Sequence, residues 1–196
     1  MKIIRQSYDI ITSLRDVRDK IEDAARTCYR SGDRFGTDPE FIPRLIRKGH
    51  TAMLEFADMS VRLVTNRGVT HELVRHRLAS YAQESTRYVR YSDIEVIQPE
   101  WFPSSSKQQQ DTWINAMEAA ETCYQNLLYH GWRPEQARDV LPSALRTEIV
   151  MKTNIREWRH VLKLRTAPNA HPQIRALFSP LLGQLMNELP SLFGDL

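Results

Sequence analysis

Apolar residues in this chain recur mostly at three- and four-residue spacing, and at two-residue spacing in a few short segments. This pattern constrains the fold most, because a 3.6-residue period lines one face of a helix and a two-residue period one face of a strand. Leu14, Val17, Ile21, Ala24, Ala25 and Cys28 set an amphipathic helix to about Tyr29. Phe41, Ile42, Leu45 and Ile46 carry a second, with Gly49 placed to end it. Trp113, Ala116, Met117, Ala120, Tyr124 and Leu127 share one face of a long helix closed by Gly131. Pro134 suits the first turn of a short helix through Val140. Trp158, Val161, Leu162 and Leu164 line another ending near Arg165, and a last helix starts near Pro172 and bends at Pro180. Met59, Val61, Leu63 and Thr65 alternate as in a half-buried strand, closed by Asn66-Arg67-Gly68. Lys2–Arg5, Tyr91–Ile97 and Leu145–Thr153 read as extended, with loops at Ser31–Thr37 and Pro99–Ser106. The expectation is a single domain over residues 1–196, α+β and helix-dominated, with a small antiparallel sheet.

Charge narrows the function classes. With 27 Lys and Arg against 24 Asp and Glu, the net charge is only +3, which forces neither nucleic acid nor a membrane surface as partner. No apolar run approaches the ~18–20 residues of a membrane span, and no N-terminal signal pattern appears. Cys28 and Cys123 lie far apart without a CxxC or zinc spacing, which fits reduced thiols. Both sit in apolar helical patterns, where a small buried hydrophobe is the default. A soluble cytoplasmic protein is expected.

One stretch asks for chemistry. Residues 75–88, Arg-His-Arg-Leu-Ala-Ser-Tyr-Ala-Gln-Glu-Ser-Thr-Arg-Tyr, hold three arginines, a histidine, three hydroxyl side chains besides two tyrosines, a glutamine and a glutamate. Val69–Val74 before it reads as a helix start, with Thr70 as N-cap and Val69 and Val74 as a hydrophobic staple. The helix runs out near Arg77 or Leu78, and a polar loop follows. Guanidinium forks match phosphate and carboxylate oxygens, and nearby hydroxyl and carboxamide groups can read the edge of a base. His71 and His76 do not make a zinc-protease motif. They are five apart, about 140° around a helix, where that motif needs four. No metal site is expected.

These residues resemble the signature of the flavin-dependent thymidylate synthases: Arg-His-Arg, two free positions, Ser, one free, Asn, Glu, one free, Ser, one free, Arg, Tyr. Arg75, His76, Arg77, Ser80, Ser85, Arg87 and Tyr88 fall on that pattern, whereas Ala82 and Gln83 replace its Asn and Glu. A second family motif, Gly-His, one free, Ser or Thr, two free, Glu, His, is met by His50 and Glu55 but not by Ala52 and Phe56. Arg138, just before Leu141-Pro142, stands where the family has an arginine gripping the nucleotide. Asn154, Arg156, His160 and Arg165 match a late series ending in the catalytic arginine, and His171-Pro172-Gln173-Ile174-Arg175 extends the likeness.

The resemblance implies that family's fold and its reductive methylation of dUMP to dTMP. Methylenetetrahydrofolate gives the carbon, and NADPH reduces an FAD that delivers hydride. It assigns dUMP to Glu72, Arg75, Gln83, Glu84, Ser85, Thr86, Arg87, Arg138 and Arg165. It assigns FAD to His50, Ala52, Arg75, His76, Arg77, Gln83, Asn154, Arg156 and His160. Arg165 is the expected catalytic residue, stabilising charge on the uracil at N3; being permanently protonated, it cannot act as a base. No protein nucleophile is expected, since the cofactor does the hard step, nor a Rossmann site for NADPH, since no GxGxxG follows a strand. A homotetramer with sites shared between subunits is implied as well. Two other readings remain: a single-stranded nucleic-acid binder stacking bases on Tyr81 and Tyr88, and a flavin-binding homologue without turnover.

Overall fold

The computed structural model describes residues 1–196. Its elements in chain order are β1 (Lys2–Ile4), β2 (Ser7–Ile10), α1 (Val17–Cys28), α2 (Phe41–Arg47), β3 (Asp58–Asn66), α3 (Arg67–Leu73) and β4 (Ser80–Gln83). There follow β5 (Glu95–Ile97), α4 (Lys107–Tyr129), α5 (Pro134–Ala137), β6 (Arg146–Asn154), α6 (Ile155–Arg165), α7 (Pro172–Glu188) and α8 (Pro190–Phe193). Four strands form a sheet in the order β2-β3-β6-β4, and β1 pairs with β5 in parallel. The α+β, helix-rich class with a small sheet agrees with the sequence reading. The chain divides into two compact units: residues 1–7, 63–75 and 82–149, and residues 8–62, 76–81 and 150–196.

The two long central strands follow from their alternation. In β3 the buried residues are Met59, Val61, Leu63 and Thr65, and in β6 they are Thr147, Ile149, Met151 and Thr153. Each strand runs directly into a helix, and each junction uses the same device. Asn66 at the end of β3 accepts from Val69 N at 2.8 Å, and Asn154 at the end of β6 accepts from Glu157 N at 2.9 Å. Both asparagines keep an extended backbone (φ −91° and −72°) while the side chain satisfies a helix N–H that has no partner of its own. The cap of α3 is therefore Asn66. Thr70 lies inside the helix, its hydroxyl donating to the Arg67 carbonyl at 3.0 Å, so Asn66-Arg67-Gly68 starts a helix and does not close a strand with a turn.

In the first unit, α4 lays Trp113 and Met117 against buried Ile94, Val96 and Leu145, and buries Tyr124 and Leu128 with Ala137. A reciprocal capping box between Ser106 and Gln109 starts this helix. In the second unit, α1 buries Val17, Ile21 and Ala25 at four-residue spacing. Next to them the fully buried Glu22 accepts from Arg26 Nε and Nη2 and from the Gly36 amide, and Arg26 stacks 3.7 Å over Phe41. The carboxylate is thus paired and hydrogen-bonded, as burial of a charge requires. Trp158 on α6 is fully buried and donates to the Met59 carbonyl at 2.8 Å, which holds α6 against β3 within this unit.

Three expectations are corrected. The polar stretch after Arg77 contains a strand, β4, bonded beside β6 through Glu84 N to Glu148 O at 2.9 Å. A helical turn, α8, follows α7. Both cysteines are exposed: Cys28 ends α1 beyond its buried turns, and Cys123 lies beside the Tyr124–Leu128 stripe that α4 buries. Replacing either capping asparagine, Asn66→Ala or Asn154→Ala, is expected to lower unfolding free energy by about 1 kcal/mol. Denaturant melts of the two variants check this, and unchanged midpoints would contradict the capping account.

Candidate active site

The residues singled out by sequence divide between the two units. In the first unit, α3 opens with Arg67 and Gly68, and Gly68 N reaches the Ser143 carbonyl. A cleft of about 250 Å³ lies beside this helix start, lined by Arg67, His71, Thr86, Arg138, Asp139, Leu141, Pro142 and Ser143. Arg138 reaches it from a short 3₁₀ turn after α5, and Thr86 from the signature itself. Arg67 Nη1 is buried and has no hydrogen-bond partner. A buried N–H of a permanent cation without an acceptor is costly. The guanidinium groups of Arg67 and Arg138 with the hydroxyls of Thr86 and Ser143 line the cleft, and donors of this chemistry suit a phosphate.

The rest of the signature's second half is partly structural. Gln83 Nε2 donates to the buried hydroxyls of Thr70 and Thr147 at 3.1 and 3.2 Å, which ties β4 to α3 and β6. The Glu84 carboxylate accepts from Tyr91 OH at 2.5 Å and from Arg146 Nη1 at 2.6 Å. Burial, then the Glu84 hydrogen bond, raises the Tyr91 phenol well above its ordinary range, so it stays protonated and keeps donating. Glu84, expected at the nucleotide, has both carboxylate oxygens committed to this network. Ser85 Oγ accepts from Arg87 N at 3.3 Å, and the Arg87 guanidinium sits 5.3 Å from the ring of exposed Tyr88. Glu72 is half-buried on α3, and Arg75 is exposed after it.

In the second unit His76 is the centre, 6% exposed. Arg165 Nε donates to its Nε2 at 3.0 Å, and Glu157 Oε1 lies 3.5 Å from its Nδ1. The His160 ring meets it edge-on at 5.9 Å between centroids. Tyr81 OH donates to the His76 main-chain carbonyl at 3.1 Å, fixing the bend of the chain there. Burial first, then the charges of Arg165 and His160, push the His76 pKa down to about 4, so the ring is neutral at neutral pH. Burial and the Glu157 carboxylate raise the Tyr81 phenol to about 12, against the pull of Arg165. Arg165 thus ends α6 as expected, and its Nε turns to a histidine.

The remaining flavin-contact candidates of this unit lie on exposed ground. His50 Nδ1 is 3.0 Å from Tyr29 OH, Ala52 opens a 3₁₀ turn, and Arg77 is exposed. Arg156 pairs with Glu55 at 2.6 Å, both half open to solvent, a pair that an incoming anion can displace at small cost. Asn154 is the cap of α6, so its side-chain oxygen already serves a backbone N–H. Sequence reasoning missed Arg67, Tyr81 as a backbone clamp, and Glu157. The only local signal for the first was an arginine beside a glycine at a strand end.

Residues 9–191 match the family described as thymidylate synthase complementing protein. The flavin-dependent thymidylate synthase of Corynebacterium efficiens is 36% identical over 196 residues, covering 89% of this chain and 78% of its own. That of Mycobacterium leprae is 35% identical over 199 residues with the same coverage. Among solved structures, the UMP/dUMP methylase PolB from Streptomyces cacaoi bound with 5-Br dUMP superposes with a TM-score of 0.83, over 99% of this chain and 96% of that one. At 24% identity this likeness shows a shared fold. With a family match over nearly its whole length and relatives above 30% identity, the chain belongs to the flavin-dependent thymidylate synthases.

Proposed function

We propose that the protein converts dUMP to dTMP by reductive methylation, with 5,10-methylenetetrahydrofolate as carbon donor, bound FAD and NADPH. The observation that carries this reading is the cleft of the first unit. Two arginines, Arg67 and Arg138, line it together with Thr86 and Ser143. A monophosphate dianion fits that donor set, because fixed, permanently charged forks bind phosphate oxygens without needing to reorganise. Arg87 and the Ser85 hydroxyl add donors from the signature, and Glu72, Arg75 and Gln83 complete the nucleotide contacts that the family likeness suggests.

Arg165 acts at the ring. Carbon 5 of uracil is a poor nucleophile until negative charge can build over N3 and its flanking carbonyls, and a fixed guanidinium stabilises that charge as it develops. The neutral His76 holds that guanidinium by Nε. FAD is assigned to the exposed cations Arg75, Arg77 and Arg156, whose charge suits a pyrophosphate, with His50, Ala52, His76, Gln83, Asn154 and His160 as further contacts. When bound, it supplies the hydride that completes the methyl group, and the reading needs no protein nucleophile. No helix is long and apolar enough to cross a membrane. Two large apolar side chains of the signature stand open, Leu78 at 75% and Tyr88 at 78% exposed. Exposed apolar side chains of this size suit protein contacts and support sites completed by neighbouring subunits of a homotetramer.

Two outcomes test the reading. Arg165→Ala is expected to keep a flavin absorption band through desalting but to lose dTMP formation, and full activity in that variant would refute its catalytic role. Arg67→Met or Arg138→Ala should retain flavin while the dUMP concentration that perturbs its band rises about 10-fold or more, the scale of a lost charged hydrogen bond. A dUMP titration identical to wild type in both variants would remove the phosphate assignment.

A further inference from the structure

His76, Glu157 and His160 bring possible metal ligands within 4.8 Å of one another. The hydrogen bond at the other ring nitrogen of His76 decides what this group does. Arg165 is always protonated, so its Nε–H must be the donor to His76 Nε2. Nε2 therefore carries the lone pair, and the single proton of the neutral ring sits on Nδ1. A protonated Nδ1 cannot ligate an ion. It can only donate, and the acceptor facing it is Glu157 Oε1 at 3.5 Å, a separation at which the carboxylate attracts the Nδ1–H and a small closure makes a full hydrogen bond.

Both outer members of this chain stand on one rigid element. Glu157 lies in the first turn of α6, where its backbone N–H is held by the Asn154 cap, and Arg165 is the last residue of the same helix. The middle member is pinned through its main chain by Tyr81. His76 takes Arg165 by Nε, and a guanidinium so held has a fixed plane, which a planar imide flanked by carbonyls requires.

We propose that Glu157 and His76 are positioning residues for Arg165: the carboxylate keeps the His76 proton on Nδ1, and the lone pair thereby left at Nε2 sets the angle of the guanidinium. The catalytic consequence rests on the assignment of Arg165 to the uracil ring; the proton placement does not.

The test uses full-length protein with 15N-labelled histidine, whose ring couplings report which nitrogen carries the proton; His76 is identified by the signal lost in His76→Gln. Wild type is expected to show Nδ1–H at His76, and an Nε2–H ring would overturn the proposal. In Glu157→Leu the ring is expected to move toward Nε2–H. Turnover of dUMP should then fall about 10- to 100-fold, the scale seen when an orienting partner is removed, while flavin retention stays as in wild type. Glu157→Gln, whose amide oxygen can still accept from Nδ1–H, should recover much of that loss. Unchanged turnover in Glu157→Leu, or a Gln variant no better than the Leu one, would overturn the positioning role. Because the proton is located without any ligand, a wild type with Nδ1–H but no dUMP turnover would refute the enzymatic reading and leave the Glu157–His76–Arg165 geometry standing.

Discussion

Two asparagines at strand ends carry the arrangement of everything that follows them. Asn66 and Asn154 each finish a half-buried strand and cap the helix that begins at the next residue. With no loop between strand and helix, the direction of each helix is set by a strand whose alternate residues are locked in the core. The first junction delivers Arg67 to the cleft of the first unit and leads into the signature. The second delivers Glu157 and, eleven residues after the cap, Arg165. Arginines placed this way stand on scaffold elements, where small errors of position are least.

The electrostatics separate cations held by buried or half-buried carboxylates from cations that are not. Arg26 and Arg146 are consumed by carboxylates: Glu22 for the first, and Glu84 with Glu148 for the second. Arg67 keeps a buried nitrogen without an acceptor, and Arg156 shares only an exposed ion pair with Glu55. His76 is the neutral member between Glu157 and Arg165. Its burial keeps it uncharged, so it can accept from a guanidinium that an imidazolium would repel.

Much of this was legible in sequence, for reasons that differ by residue. The periodic segments gave α1, α2, α4, β3, β6 and α6 because each buries one face, and burial writes its period into the chain. The β4 strand was not legible: Ser80-Tyr81-Ala82-Gln83 has no apolar alternation, and pairing beside β6 makes it a strand. Thr70 and Asn66 are both good caps in isolation; the extended backbone at the end of β3 selected Asn66. Of the candidate site residues, the signature pointed to His76, and the later motifs to Arg138 and Arg165. Glu157 escaped because its partner lies far away in sequence, and Arg67 because burial without a partner has no sequence signature.

The most direct measurement is dTMP formation by the purified protein given dUMP, 5,10-methylenetetrahydrofolate, NADPH and FAD, with each component omitted in turn. The account predicts dTMP only in the complete mixture, and none when FAD is stripped and left out. No dTMP from flavin-loaded protein in the complete mixture, or undiminished dTMP from protein stripped of flavin, would contradict it.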